Sequence, residues 1–159
     1  QDLRMAIEYD LEQERQFDYT ALTKKEMVEH LANFISGLWQ IHPFAEGNTR
    51  TIAIFTIKYL RSQGFRVNNE LFELNSWYFR NALVRANYRN LEKGINYEPE
   101  YLNRFFANLL LGEKWDLRNR YLHIHPTEEW KVQPNLATPE QVPEQVPEQV
   151  PHKYPTSTP

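Results

Sequence analysis

Nothing constrains the fold of this chain more than where its prolines fall. Eight of the ten follow His123, and between Pro139 and Pro151 the chain reads PEQVPEQVPEQVP, proline at every fourth position. Proline lacks the amide hydrogen and fixes φ, so this spacing forbids both a continuous helix and a paired strand and favours extended polyproline II. Residues 126–159 therefore read as a Pro/Gln-rich linker or tail, with a docking strand for another module as the other reading. All five glycines precede Glu113. What folds must fold within residues 1–125, the size of one domain.

That region reads as helices. TKKEMVEHLANFISGLWQI opens with Thr23 and Glu26 at capping-box spacing, and Met27, Val28, Leu31, Phe34, Ile35, Leu38 and Trp39 form a helical stripe. TRTIAIFTIKYLRSQG is apolar almost all round; its β-branched residues would suit a buried strand, but its length and the stop at Gly64 favour a central helix. NNELFELNSWYFRNALVRANYRN reads as one long amphipathic helix with Asn69 as N-cap, and EPEYLNRFFANLLLG as a helix with Pro99 in its first turn and Gly112 at its end. The N-terminal MAIEYDLEQE is helical in character. No stretch alternates with period two, so the expected fold class is all-α.

Composition removes several functions. The 159 residues carry a formal net charge of −3, which is not the basic footprint of a nucleic-acid binder. Without cysteine there are no disulfides, thiolate metal sites or cysteine nucleophiles. No apolar run is long enough to span a membrane, and the N-terminus has no signal-peptide pattern. The expectation is a cytoplasmic protein, and the missing initial Met suggests a fragment of a longer chain.

The chemistry concentrates between the first two long helices, in HPFAEGNTR, residues 42–50. Gly47 and Asn48 stand before a helix starting near Thr49, where unpartnered amides and the positive end of the helix dipole favour phosphate. Arg50 opposes that dipole unless an anion lies between them. Glu46 would repel the same anion unless a divalent cation bridges the two, and Mg²⁺ takes one or two carboxylates plus phosphate oxygens. His42 titrates near neutral pH and suits removal of a proton from a hydroxyl. Together these describe phosphoryl or nucleotidyl transfer. Taken singly, His42 could cap a helix, Glu46 and Arg50 could be an i,i+4 pair, and Gly47 a turn. His42 and Glu46 make a poor start for a zinc site, because no further His lies nearby in sequence. His30, His123, His125 and His152 read as surface or structural residues.

In these residues the chain resembles the Fic-domain (Fic/Doc) proteins, whose signature is HxFx(D/E)GN(G/K)R; His42, Phe44, Glu46, Gly47, Asn48 and Arg50 stand in register with it. The resemblance covers residues 2 to about 122 and implies a Fic-type helical bundle that transfers AMP from ATP to a Ser, Thr or Tyr hydroxyl of a target protein. It implies His42 as the base that frees the hydroxyl, Glu46 as the Mg²⁺ ligand, and main-chain amides of Gly47, Asn48, Thr49 and Arg50, with the Asn48 side chain, as the anion hole. Arg50 would neutralise the leaving pyrophosphate, and Phe44 would pin the loop to the core. LVRAN resembles the segment where family members contact adenine, which points to Asn87. The family also holds its target with a β-hairpin flap upstream, expected here to be incomplete.

Two positions depart from the family pattern. Thr49 replaces a common Gly, so the loop must turn there with ordinary helical dihedrals, as an N1 or N2 residue can. Ala53 replaces a second Arg that contacts the γ-phosphate. That opens the choice of donor, since related enzymes move phosphate or phosphocholine with the same loop. An inhibitory (S/T)xxxE(G/N) helix is not found, and Ala53 could not pair with its Glu; the resemblance then leaves restraint to residues outside this sequence or to an antitoxin-like partner. Three readings follow: AMP transfer, transfer from another donor, or a non-catalytic binding module whose tail leads to a further domain.

Overall fold

The structure is a computed structural model and describes residues 2–41 and 47–122; the tail at 126–159, loop residues 42–46 (His42, Phe44 and Glu46 among them), His123, His125 and His152 lie outside the described residues. The helices are α1 (Asp2–Arg15), α2 (Lys24–Gln40), α3 (Asn48–Ser62), α4 (Glu70–Leu74), α5 (Ser76–Asn87) and α6 (Glu100–Leu111), with 3-10 turns at Leu91–Lys93 and Asn119–Leu122. Among the described residues there is no strand, only an isolated bridge between Asn90 and Ile95. The class is all-α, as expected. Residues upstream of α2 form α1, and no flap hairpin occurs among them.

Local code explains most boundaries. Thr23 Oγ1 accepts from Glu26 N–H while the Glu26 carboxylate accepts from Thr23 N–H, each at 3.2 Å, completing the capping box of α2. At the end of α3, Phe65 N–H donates to Leu60 O and Gly64 N–H to Arg61 O, both at 3.0 Å. This Schellman closure needs a left-handed residue, and Gly64 supplies it at φ +90°. Pro99 directly precedes the first residue of α6, whose C-cap is Gly112 at φ +66°.

The long helix expected over 69–90 is in fact two. Asn75 adopts φ −128°, ψ 33° between α4 and α5. Its side-chain Nδ2 and its own amide both donate to Leu71 O, at 3.0 and 3.1 Å. A short amide side chain that competes for backbone acceptors is the usual way such a residue breaks a helix. Asn69 makes no side-chain cap at α4 either: Asn68 Oδ1 takes the Glu70 amide at 3.0 Å, while Asn69 Nδ2 donates to Glu73.

The break lets α4 and α5 bend around α6. Phe72 from α4, Phe79 from α5 and Phe105 from α6 meet with ring centroids 4.9–5.1 Å apart, all three fully buried. Offset and edge-on contacts of this kind add to the area the rings bury. Through this cluster and Leu102 and Phe106, α5 and α6 pack beneath α2. Removing one ring leaves a cavity in a close-packed interior. Phe105→Ala should therefore lower unfolding free energy by roughly 3–5 kcal/mol in urea denaturation. Leu91→Ala, at a side chain 66% exposed, should stay within about 0.5 kcal/mol.

Candidate active site

The stem of the loop is an antiparallel pair. Phe34 on α2 lies 6.3 Å from Phe55 and 5.5 Å from Tyr59 on α3, measured between ring centroids. Nearer the loop, the Trp39 indole N–H donates to Thr49 Oγ1 at 3.0 Å, with both residues buried. Residues 39 and 49 bracket the loop, so this bond ties its two ends together.

At the loop's exit Gly47 is exposed and takes φ +75°, ψ 16° as the N-cap of α3. A Cβ built there would meet nothing within 4 Å. The backbone angle favours glycine, and among the described residues nothing crowds that position. The helical ladder begins with Thr51 N–H donating to Gly47 O at 2.9 Å. The amides of Thr49 and Arg50 precede that first bond, in the turn where a helix offers donors to an external acceptor. Gly47, as N-cap, makes no side-chain cap bond, and no acid stands in the first turn of α3. Arg50 is exposed and Thr49 is the second helical residue, in the helical conformation expected of it.

Ala53 is fully buried. It shares one face of α3 with Thr49, Ile52, Thr56, Ile57 and Leu60, the residues of that helix that enter the core. Position 53 thus points away from solvent, and no longer side chain could reach a ligand from there without leaving the packed interior.

Asn87, at the end of α5, donates from Nδ2 to Ser36 Oγ at 2.8 Å and to Leu83 O at 2.9 Å. Ser36 precedes Trp39 by three residues, about 4.5 Å of helix rise. The structure thereby brings Asn87 to the same end of α2 as the start of α3. It lines a cleft of about 470 Å³ with Ser36, Gly37, Gln40 and Asn103. Of the sequence-derived site, Gly47, Asn48, Thr49 and Arg50 form one turn, and Asn87 bonds Ser36 near the same end of α2; His42 and Glu46 lie outside the described residues.

A second polar cluster was not legible in the sequence. Glu14, the one buried residue of α1, accepts the hydroxyls of Tyr19 and Tyr59 on Oε1 and faces His30 Nε2 at 2.6 Å through Oε2. Phe17 stacks on His30 at 3.6 Å between centroids. These partners lie 5, 16 and 45 residues from Glu14, so no local pattern joins them. The cluster bolts α1 to α2 and α3, which makes His30 structural, as expected. Burial, reinforced by the Glu14 carboxylate, pushes the Tyr59 phenol up to about 12 from 10.0 and raises Tyr19 in the same direction. Among the described residues no group of three or more His, Cys, Asp or Glu could hold a metal ion. No described helix is long and apolar enough to cross a membrane.

Against known proteins, the sequence model of the Fic/DOC family matches residues 3–60, the span of α1, α2 and nearly all of α3. The match supports a Fic-type domain in this part of the chain, and with it a transferase in general. No curated protein and no solved structure matches the chain.

Two outcomes follow from these surroundings. Ala53→Arg should lower thermal stability by at least about 3 kcal/mol, because the site buries a charge without a partner, and it should not tighten ATP binding in titration calorimetry. The raised Tyr59 pKa means that ionisation is easier in the unfolded chain. Its contribution to stability is therefore full below pH 10 and is lost as pH rises toward about 12. Ultraviolet titration of phenolate should show a late step near pH 12 that Tyr59→Phe removes, and that variant's stability should fall less steeply across the same interval.

Proposed function

We propose that this chain transfers AMP from ATP to a Ser, Thr or Tyr hydroxyl of a target protein. The observation that carries the reading is the opening of α3: Gly47 in a left-handed turn uncrowded by the described residues, followed by helix amides and an exposed Arg50 in a turn without an acid. An anion is what such a turn accommodates, and the loop leading into it supplies His42 and Glu46 within the span that the Fic/DOC model matches.

In this reading His42 takes the proton of the target hydroxyl. The freed oxygen attacks the α-phosphorus, a phosphodiester bond to the target forms, and the bond from the α-phosphorus to the bridging oxygen breaks. Pyrophosphate leaves with the electron pair of that bond. Amides at Gly47, Thr49 and Arg50, with the Asn48 side chain, hold the phosphate oxygens, and the Arg50 guanidinium offsets the charge on the leaving group. Asn87 would meet the adenine. A hard cation fits the donor set, since one carboxylate, Glu46, with phosphate oxygens beside the uncrowded Gly47 turn is a magnesium-type arrangement. Bound there, Mg²⁺ would neutralise charge on the α- and β-phosphates. Restraint by a separate antitoxin-like protein accords with the burial of Ala53, which offers an inhibitory Glu no partner. A chain without cysteine that spends ATP suits the cytoplasm.

The same burial of Ala53 favours a second reading, transfer from another nucleotide or phosphoryl donor, because position 53 provides no γ-phosphate contact. The two are separated by incubating the protein and a cell extract with ATP labelled at the α- or the γ-phosphorus. AMP transfer predicts protein-bound label from α only. Label from γ only would establish phosphoryl transfer, and label from neither would favour a binding module. His42→Ala should lower transfer at least ~100-fold, the scale of a lost general base; an unchanged rate would remove His42 from that role.

A further inference from the structure

We infer that Trp39 is a positioning residue for this site, acting through Thr49. The inference rests on the AMP-transfer reading and adds to it the part of the chain that aims the anion-binding turn. An indole N–H can only donate, so the 3.0 Å contact is a bond from Trp39 Nε1 to Thr49 Oγ1. Trp39 is the next-to-last residue of α2 and Thr49 the second of α3. Between them the chain leaves one helix, passes through the loop that carries His42 and Glu46, and enters the other at Gly47. The bond is buried at both ends, with each residue 8% exposed, so water cannot replace it.

Thr49 serves in two directions. Its main chain lies in the turn that would cradle the phosphates, and its side chain points into the core, on the face shared with Ile52 and Ala53. A glycine at 49 would give this turn more backbone freedom and no side-chain bond to α2. The threonine hydroxyl removes this freedom by fastening the turn to the end of α2, from which His42 follows within three residues. The orientation of the anion-binding turn relative to α2 is then set by a packed pair of helices and this bond. Transition-state stabilisation is sensitive to such placement, and a displacement of about 1 Å can cost up to 10²-fold in rate. Ground-state binding of ATP, spread over the triphosphate and adenine, depends on it less.

Full-length protein with Mg²⁺, α-labelled ATP and extract tests this. Thr49→Val keeps the shape and removes the acceptor; kcat should fall roughly 10- to 100-fold while KM for ATP stays within about threefold. Thr49→Ser restores the acceptor and should recover kcat to within about threefold of wild type. Trp39→Phe should also lower kcat, and Trp39→Phe/Thr49→Val should lose no more than Trp39→Phe alone, because both changes remove one bond. If Thr49→Val does not fold, Thr49→Ala carries the same expectation. Hydrogen exchange at the Trp39 indole, followed by NMR, should be slow in wild type and Thr49→Ser and fast in Thr49→Val. Thr49→Val with unchanged kcat, a loss confined to KM, or Thr49→Ser as poor as Thr49→Val overturns the positioning role and leaves AMP transfer standing. A wild type with a protected indole that transfers no α-label overturns the AMP-transfer reading and the positioning role with it.

Discussion

Helix α2 is buried along two stripes, and the rest of the molecule depends on that. Val28, Leu31, Ile35 and Leu38 fill one side, and Phe34 extends burial toward α3. A helix apolar on so wide an arc must be central, and α1, α3, α5 and α6 all pack against it. Every element that bears on the candidate site is placed by that contact. Phe34 aligns α3, Trp39 fastens the first turn of α3, and Ser36 takes the side chain of Asn87 from α5. The end of α2 is therefore where the loop leaves, where α3 begins and where α5 arrives.

What could be read from the sequence was what short-range chemistry encodes. The capping box at Thr23, the Gly64 closure and the ends of α6 all depend on residues within one turn of the boundary, and all appear where their code puts them. The helix conformation at Thr49 followed from its β-branch. The break at Asn75 was missed because the apolar period continues through it: Leu71 and Phe72 before it and Phe79 after it all pack on the core. Periodicity reports which side chains are buried, and it does not register a backbone that pauses for one residue while burial persists. The Glu14 cluster was beyond reach for another reason. A carboxylate in a charged helix reads as solvated, and only the docking of α1 shows that two tyrosines and a histidine from other elements converge on it.

That cluster also explains how α1 stays in place. Leu3, Met5 and Tyr9 remain exposed, and Glu14 is the helix's sole buried residue among the described residues. A helix with so little apolar burial gains little from the hydrophobic effect. Beside Leu11, which packs on the core, its attachment is polar and directional, and it depends on the carboxylate meeting its partners together. Removing one partner of such a group leaves the others unsatisfied, which is why buried polar networks tend to hold or fail as a unit.

The two departures from the family pattern lie on one line of α3, and the line faces inward. Positions 49, 52, 53, 56, 57 and 60 follow helical spacing and are all buried; position 50 is exposed. A residue on the buried line cannot serve a ligand in solvent except through its main chain. Threonine at 49 and alanine at 53 are on this geometry choices about packing: the first supplies a hydroxyl that holds the turn to α2, the second a side chain small enough to sit fully enclosed. At the opening of α3, Arg50 and Thr51 face outward, with the exposed Gly47 beside them. An anion meeting this opening would find backbone amides and the Arg50 guanidinium. In the proposed reading, a diphosphate at the tip of α3 would meet that opening through main chain and Arg50, with no contact asked of the buried side chains at positions 49 and 53.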